Sequence, residues 1–143
     1  MHVPPVEVYY MTERGTTVYS GRPTTWTGKI GLMYPSDYGY ATSGGTTKDR
    51  ATCLTEGLLQ WDSSDFSDCK GNDYLLDTSN FQWTMAPASA LASDVFYVDS
   101  DGTVRDGYAG STDGVRPALF LKSNILVDKG TGAKSDPYTL KMQ

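Results

Sequence analysis

The fold of this chain is decided by residues 83–117, which read WTMAPASALASDVFYVDSDGTVRDGYAGSTDGVRP. Two runs rich in β-branched and aromatic residues, at 95–99 and 103–105, flank the sequence Ser100-Asp101-Gly102. Asp-Gly between two such runs is a strong signal for a tight β-hairpin turn. The sequence therefore predicts an antiparallel hairpin at the centre of this stretch.

Alternate residues of a strand point to opposite faces of a sheet, which gives the hairpin an inner and an outer face. Phe96, Val98 and Val104 are expected to point into the core. The residues expected on the outer face are Tyr97, Asp99, Thr103 and Arg105, joined by Asp101 near the turn. Such a face is either a contact patch or an ordinary solvated surface, and we favour the contact patch.

Apart from its apolar framework, the stretch 88–113 consists mainly of Ala, Ser, Asp, Gly, Thr and Tyr. Small polar side chains adapt their hydrogen bonds to a partner, and tyrosine supplies contact area at a low entropic cost. This composition predicts a ligand-binding surface. The predicted ligand-binding residues are Tyr97, Asp99, Asp101, Arg105, Asp106, Tyr108, Ser111 and Asp113.

Further strands are expected on both sides of this hairpin, where β-branched and aromatic residues recur. Runs at 6–11 and 26–33 precede it. Runs at 115–121, 125–127 and 138–140 follow it, and the last two form a closing hairpin around a Gly-Thr-Gly turn.

Two short helices are expected in the first half of the chain. The first follows Pro35, with Ser36 as its N-cap. The second covers 49–61, where Asp49 can cap the helix and apolar residues recur at intervals of three and four. Gly57 is unfavourable within this second helix.

The tryptophans and one arginine are assigned to the framework. Trp26, Trp61 and Trp83 are expected in the core rather than as stacking platforms for a ligand. Arg116 is expected to donate hydrogen bonds to loop carbonyls through its planar fork of donors. None of these four residues is therefore included in the predicted ligand-binding set.

At 143 residues the chain is long enough for one domain with its own hydrophobic core. Short helices early and antiparallel strands late predict the α+β class. Fifteen glycines and seven prolines indicate much irregular loop. We expect a single domain over 1–143, with its core at about 26–140.

The net charge is −5, from 17 acidic and 12 basic residues, and the basic residues form no run. This distribution argues against nucleic acid and against an anionic membrane surface as partners. The apolar runs are too short to insert into a bilayer, and residues 1–3 do not begin a signal peptide. We therefore expect either a cytosolic chain or a piece of a longer exported protein.

The two cysteines, Cys53 and Cys69, enclose a loop rich in Asp and Ser. A structural zinc site needs four Cys or His ligands, and His2 is the single histidine. The remaining alternatives are a disulfide and two free thiols, of which we favour the disulfide. Such a bond would place the protein in an oxidising compartment.

The sequence offers little for catalysis or for cofactors. With His2 as the single histidine, neither a Ser-His-Asp nor a Cys-His arrangement is available. Asp99 and Asp101 invite a calcium interpretation, but the glycine and glutamate positions of an EF-hand are not met, and a tight Asp-Gly turn explains the pair. We predict no enzyme, no metal and no cofactor.

Several motifs carry a resemblance to known domains. Residues 29–41, KIGLMYPSDYGYA, resemble the helix start of domains similar to the formylglycine-generating enzyme, a branch of the C-type lectin fold. The motifs at 83–87, 95–104 and 114–119 resemble the C-terminal half of that branch. With the cysteine pair and the closing GTGAKSDPYTL, the ordered set also resembles a domain family of Gram-positive gut bacteria found at the ends of surface and pilin-like proteins. The resemblance covers about 26–140.

The resemblance implies a C-type lectin-like fold and extracellular exposure. It implies no oxidase activity, because Cys53 and Cys69 do not match the cysteine positions of the formylglycine-generating enzymes. The same branch includes the variable proteins of diversity-generating retroelements, whose rewritten codons do not become Lys, Glu, Gln, Met or Trp. Residues 88–113 contain none of these five types, although they make up 21 of the 143 residues.

We therefore expect an extracellular, adhesin-like ligand-binding domain that displays a variable surface over 88–113. The expected partner is a protein or glycan on another surface. The expected location is the cell surface, as part of a longer surface or pilin-like protein. The alternative is a structural pilin-like subunit whose exposed face contacts only solvent or its neighbours.

Overall fold

The computed structural model describes residues 27–70, 75–88, 91–133 and 135–143. In chain order these contain strand β1 (Gly31–Leu32), helix α1 (Pro35–Ala41), helix α2 (Arg50–Cys53), a 3₁₀-helix (Leu58–Asp62) and strands β2 (Gln82–Pro87), β3 (Asp94–Val98), β4 (Val104–Tyr108), β5 (Pro117–Ala118), β6 (Ile125–Lys129) and β7 (Thr139–Met142). The strand predicted at 6–11 and Trp26 lie outside the described residues. Within the described part, the strands pair antiparallel in three sheets, so the chain belongs to the α+β class.

The central sheet has the strand order β2-β3-β4, and β3 and β4 form the predicted hairpin. Gly102 in its turn has a φ of 87°, in the left-handed region that glycine adopts without a steric cost. Phe96, Val98 and Val104 are buried on the inner face, as predicted. The hairpin and its inner face are therefore confirmed.

The core lies between this sheet and the helical segments of the first half. Tyr38 of α1 is fully buried, and its hydroxyl donates to the carbonyl of Gly102 at 3.0 Å, which ties the helix to the hairpin turn. Trp61 of the 3₁₀-helix is also fully buried, as predicted. Its indole N–H donates to the carbonyl of Cys53 at 3.1 Å, so the polar edge of the ring is satisfied inside the core.

A disulfide joins Cys53 and Cys69, whose Cα atoms are 5.7 Å apart. Both residues are almost fully buried, so the bond lies within the core. Thr42 directly follows α1, and its hydroxyl donates to the carbonyl of Cys69 at 3.2 Å. This bond holds the backbone at Cys69 to the end of the helix. The favoured pairing of the two cysteines is confirmed.

Helix α1 begins earlier than predicted. Its N-cap is Tyr34, not Ser36, and Pro35 occupies the first helical position, where its missing N–H and fixed φ are favourable. The carboxylate of Asp37 accepts a hydrogen bond from the backbone N–H of Tyr34 at 2.8 Å. Of the helices described, none has the length and apolarity that a membrane crossing requires.

The single helix predicted over 49–61 is wrong in its extent. Asp49 does cap α2, because its carboxylate accepts from the N–H of Thr52 at 2.8 Å. The α-helix nevertheless ends at Cys53, and Gly57 adopts an extended conformation with ψ 146° before the 3₁₀-helix. The apolar stripe is therefore carried by two short helical pieces rather than by one.

The run predicted as a strand at 115–121 contributes only Pro117–Ala118 to β5, which pairs with β1. Proline has no N–H to donate, which limits the ladder at this point. The strand predicted at 26–33 is likewise reduced to Gly31–Leu32. The closing hairpin is confirmed as β6 and β7, although both strands reach further than the sequence indicated.

Candidate ligand-binding surface

In β2 the polar residues face the core and the larger apolar residues face outwards, the reverse of the usual pattern. This reversal determines the outer face of the central sheet. The buried, inward-facing residues of β2 are Gln82, Thr84 and Ala86. Thr84 is satisfied in the core because its hydroxyl donates to the carbonyl of Phe96 at 2.8 Å. Trp83, which we expected in the core, therefore points outwards and is half-buried.

Three aromatic side chains, Phe81, Trp83 and Tyr97, lie in contact on this outer face and are named the aromatic row. Trp83 and Tyr97 are direct cross-strand partners, and their rings meet edge to face with centroids 5.8 Å apart. Phe81 stacks on Tyr97 with centroids 5.3 Å apart and an interplanar angle of 28°. Gly107 of β4 leaves room for the ring of Tyr97, because a Cβ at position 107 would lie only 3.0 Å from Cε1 of that ring.

The hydroxyl of Tyr97 lies in an acidic surrounding. Burial raises the pKa of Tyr97, the carboxylate of Asp99 raises it further, and Arg105 opposes this effect. Asp113 and Asp106 also raise it, so both carboxylates act on the ring's polar end. Tyr97 is therefore a neutral hydrogen-bond donor at physiological pH.

The loop after β4 returns to the aromatic row. The N–H of Gly114 donates to the carbonyl of Phe81 at 2.8 Å, and the carbonyl of Gly114 accepts from the N–H of Trp83 at 3.0 Å. A Cβ on Gly114 would lie 2.8 Å from the carbonyl oxygen of Phe81, so this close approach requires glycine. The two hydrogen bonds bring Asp113, which is half-buried, beside the row.

Asp106, Tyr108 and Ser111 lie at the edge of the sheet rather than on the aromatic row. Asp106 is paired opposite Phe96, and Tyr108 follows on the same side of β4, so both lie on the side opposite Tyr97. Both side chains are exposed. The N–H of Ser111 donates to the carbonyl of Tyr108 at 3.0 Å, which forms a turn that leaves both side chains in solvent.

The other predicted site residues, Asp99, Asp101 and Arg105, belong to one network of ion pairs that also contains Asp62 and Lys70. Nη2 of Arg105 lies 3.1 Å from Oδ1 of Asp62, and its Nε lies 3.5 Å from Oδ2 of Asp99. Nζ of Lys70 lies 2.9 Å from Oδ2 of Asp101. These five residues, named the charge network, hold the hairpin against the segment that begins with the 3₁₀-helix.

Thr103 lies at the centre of the charge network and was wrongly expected on the outer face. It is fully buried, because it belongs to the turn and not to β4. Its N–H and hydroxyl donate to Oδ1 of Asp101 at 2.9 and 2.7 Å, and the hydroxyl accepts from Nε of Arg105 at 3.1 Å. Partial burial raises the pKa of Asp101, but the bonds from Thr103 and Lys70 outweigh this and lower it to about 2.

Beyond the aromatic row, the outer face continues into an apolar groove of about 480 Å³. The groove is lined by Ile30, Gly31, Leu32, Met85, Val115 and Pro117. Met85 follows Trp83 on the outward side of β2, so the groove adjoins the aromatic row. Arg116 makes a structural contact, but to a strand side chain rather than to the loop carbonyls we expected: its Nε donates to the side-chain oxygen of Gln82 at 2.7 Å. Across the described ranges, no three His, Cys, Asp or Glu side chains form a group that could hold a metal ion.

The sequence missed the partners that come from distant parts of the chain. Lys70 is 31 residues from Asp101, and no local pattern connects the two. The sequence did contain a sign that Trp83 is exposed, because it alternates with Gln82 and Thr84, so one of the two sets must face outwards. We assigned the polar set to the outer face, since polar residues were not expected to face inwards. Seven of the eight predicted residues are thus divided among the aromatic row, the sheet edge and the charge network, and Asp113 lies beside the row.

Comparison of the chain with protein-family models, with curated proteins and with solved structures finds no match in any of the three. The α+β architecture and the Cys53–Cys69 disulfide are established by the structure itself. The resemblance to C-type lectin-like domains stays a prediction. The function is therefore argued from the surface.

Proposed function

We propose that this chain is an extracellular ligand-binding domain that recognises a protein or glycan on another surface. The observation that carries the proposal is the aromatic row of Phe81, Trp83 and Tyr97 beside the apolar groove. Rings that are half-buried in this way offer a large apolar contact area, and the tyrosine hydroxyl adds a directional hydrogen bond. Asp113 and Arg105 supply charged groups at the border of the row.

Recognition is favoured further by the way in which the row is held. Two hydrogen bonds with Gly114, one donated to Phe81 and one accepted from Trp83, fix the backbone between these two residues. The charge network fixes the hairpin that carries Tyr97. A surface that is ordered before binding loses less conformational entropy when a ligand arrives, so more of the contact energy contributes to affinity.

The resemblance of residues 26–140 supports the finer part of this proposal, a C-type lectin-like fold with a surface that varies between related chains. Exposed positions at the end of β4 and in the following loop tolerate substitution because they contribute little to the core. Asp106, Tyr108 and Ser111 are positions of this kind. The disulfide supports a location outside the cytosol, because such bonds persist in oxidising compartments.

Binding without a catalytic step is the simpler role for this surface. The carboxylates of Asp99 and Asp101 are engaged by Arg105, Lys70 and Thr103, so they are occupied in holding the hairpin. Catalytic carboxylates are instead positioned to exchange protons with a substrate.

The test compares two Phe→Ala variants. Phe81→Ala removes an exposed ring of the aromatic row, whereas Phe120→Ala removes a fully exposed ring outside it. The fluorescently labelled domain is applied to an array of immobilised glycans and to intact bacterial and epithelial cells. Truncation of an aromatic contact at the centre of an interface costs more than about 1 kcal/mol, so we expect Phe81→Ala to weaken binding about tenfold. Phe120→Ala is expected to bind like the unmodified chain.

Treatment of the cells separates the two ligand classes. Periodate oxidation is expected to abolish capture if the ligand is a glycan, and protease treatment if it is a protein. Equal affinities of the two variants, or no capture on any array or cell, would overturn the proposal and favour the structural pilin-like subunit. Equal melting temperatures are required before the affinities are compared.

A further inference from the structure

The aromatic row has more negative than positive charge around it. Besides burial, which has the largest effect, charged groups shift the pKa of Tyr97: the carboxylates of Asp99, Asp113 and Asp106 raise it, and the guanidinium of Arg105 lowers it. Three carboxylates thus act on the row against one cation. This surplus attracts a positively charged group of a ligand and disfavours an anionic one.

Asp113 is the carboxylate of this group that is free to meet a ligand at the row. Asp99 lies 3.5 Å from Arg105, and Asp106 lies on the side of the sheet opposite Tyr97. Asp113 is half-buried, and among the described residues its carboxylate has no ion pair and no hydrogen bond. A carboxylate that is partly removed from water gains most from a cation that also donates hydrogen bonds to it.

The carboxylate and the apolar groove lie at opposite ends of one surface. Gly114 pairs with Gln82 in a parallel bridge, so the segment around residue 114 runs beside β2 in the same direction. Asp113 precedes this bridge and lies beside the aromatic row. Val115 follows the bridge and lines the groove together with Met85. The surface therefore offers negative charge and aromatic rings at one end and an apolar groove at the other.

The distance between the two ends matches an extended peptide. Trp83 of the row and Met85 of the groove are two positions apart on the outward side of β2, which corresponds to about 7 Å along the strand. Residues i and i+2 of an extended peptide lie on one side of it with the same separation. One extended segment can therefore occupy both ends at once.

We propose that this surface binds an extended protein segment that carries an arginine and, two positions away, an apolar side chain. The arginine lies on the aromatic row beside Asp113, and the apolar side chain enters the groove. Arginine fits better than lysine, because its planar guanidinium stacks on aromatic rings while its fork of donors bonds to a carboxylate. The inference rests on the proposed function, since it names the ligand class of the same surface.

A glycan matches the surface less well than such a segment. A neutral sugar can stack on the rings, but it leaves the charge of Asp113 uncompensated. An acidic sugar is repelled by that charge. Of the two ligand classes under the proposed function, the charge distribution therefore favours a protein.

The test is an NMR titration of the full chain with short synthetic peptides, read at the indole N–H of Trp83. The peptides are identical except for the cores Arg-Ser-Leu-Ser-Arg, Gln-Ser-Leu-Ser-Gln and Glu-Ser-Leu-Ser-Glu, which are palindromic and so serve either direction of binding. We expect the arginine peptide to bind about tenfold more tightly than the glutamine peptide, because a cation on an aromatic ring contributes that much. The glutamate peptide is expected to bind more weakly than either.

A matched pair of variants tests the role of the carboxylate. Asp113→Asn is expected to weaken binding of the arginine peptide about threefold, the typical effect of a partly exposed ion pair, and to leave the glutamine peptide unaffected. Asp136→Asn removes the same charge from an exposed residue in the loop between β6 and β7 and is expected to change neither affinity. Equal effects of the two variants would overturn the inference, because only the total charge would then matter.

The remaining outcomes separate this inference from the proposed function. Equal affinities for the arginine and glutamine peptides, or no shift of the Trp83 signal with any peptide up to about 10 mM, would overturn the inference. If Phe81-dependent capture of glycans or cells persisted in that case, the proposed function would stand with another ligand. If that capture were absent as well, both would be wrong.

Discussion

Reduction of the Cys53–Cys69 disulfide is expected to lower the free energy of unfolding by about 3 kcal/mol. The bond closes a loop with a sequence separation of 16 residues. In the chain-entropy treatment, a loop of this length removes about 10 cal/mol/K from the unfolded chain, which corresponds to about 3 kcal/mol at 25 °C. Both cysteines are almost fully buried, so the reductant reaches the bond mainly when the chain unfolds.

The assay is urea unfolding at 25 °C, with and without an excess of a phosphine reductant. Tryptophan fluorescence reports the transition, because Trp61 is fully buried and its indole N–H bonds to the carbonyl of Cys53. The midpoint is expected to fall on reduction, and the slope m is expected to rise because the reduced unfolded chain exposes more surface. Cys53→Ala with Cys69→Ala is the control, in which the reductant should change nothing.

A loss of less than about 1 kcal/mol would refute this reasoning. It would mean either that the unfolded loop is already constrained by residual structure, or that the bond stores strain in the folded state that offsets its entropic effect. A loss of about 3 kcal/mol would be a large part of the 5–15 kcal/mol that stabilises a typical domain. The protein would then depend on an oxidising environment for much of its stability.

Two further predictions concern the candidate surface. Gly114→Ala is expected to destabilise the chain by about 1–3 kcal/mol, because its Cβ would lie 2.8 Å from a backbone oxygen. Gly110→Ala is the control in the same urea measurement, because its Cβ would meet only the exposed ring of Tyr108, which can rotate away. Asp101→Asn is expected to flatten the loss of stability between pH 4 and 2, measured by thermal unfolding. The folded-state pKa of Asp101 is about 2, below its ordinary value of 3.8, so its contribution is complete above about pH 4 and disappears as the pH falls towards 2.

Each of these predictions has a clear contrary result. Equal unfolding midpoints for Gly114→Ala and Gly110→Ala would show that the loop does not depend on its close approach to Phe81. Parallel pH profiles for the unmodified chain and Asp101→Asn would show that the bonds from Thr103 and Lys70 do not stabilise the folded state. Either result would weaken the view that the surface is held rigidly.

The central hairpin could be predicted because its signals are local. Alternation of β-branched and aromatic residues predicted the two strands. Asp101-Gly102 predicted the turn between them, which needs a positive φ at the glycine. The cap at Asp49 was predictable for the same reason, since a capping side chain bonds to a backbone only three residues away. Signals that act within a few residues need no knowledge of the tertiary fold.

The rest of the surface could not be predicted, because it depends on contacts between distant residues. Gln82 faces inwards because Arg116 lies 34 positions later and donates to it. Thr103 is an exception, because its partners Asp101 and Arg105 are only two positions away; it was missed because it belongs to the turn, whereas strict strand alternation placed it outside. Where buried polar groups find specific partners, the period-two pattern no longer separates the core from the surface.

The stretch 88–113 therefore carries two kinds of position that look alike in sequence. Asp101 and Arg105 hold the hairpin to the 3₁₀-helix segment through Lys70 and Asp62, so replacing either one removes an ion pair that joins the two segments. Tyr108 at the edge of the sheet makes no comparable contribution to the frame, because its side chain is 65% exposed. A surface that varies for binding needs both kinds, since positions that tolerate change are useful only on a hairpin that stays fixed while they change. Under the proposed binding role, the charge network would limit where substitutions are tolerated within the stretch, and the edge of β4 and the following loop would be the part left to adapt to a ligand.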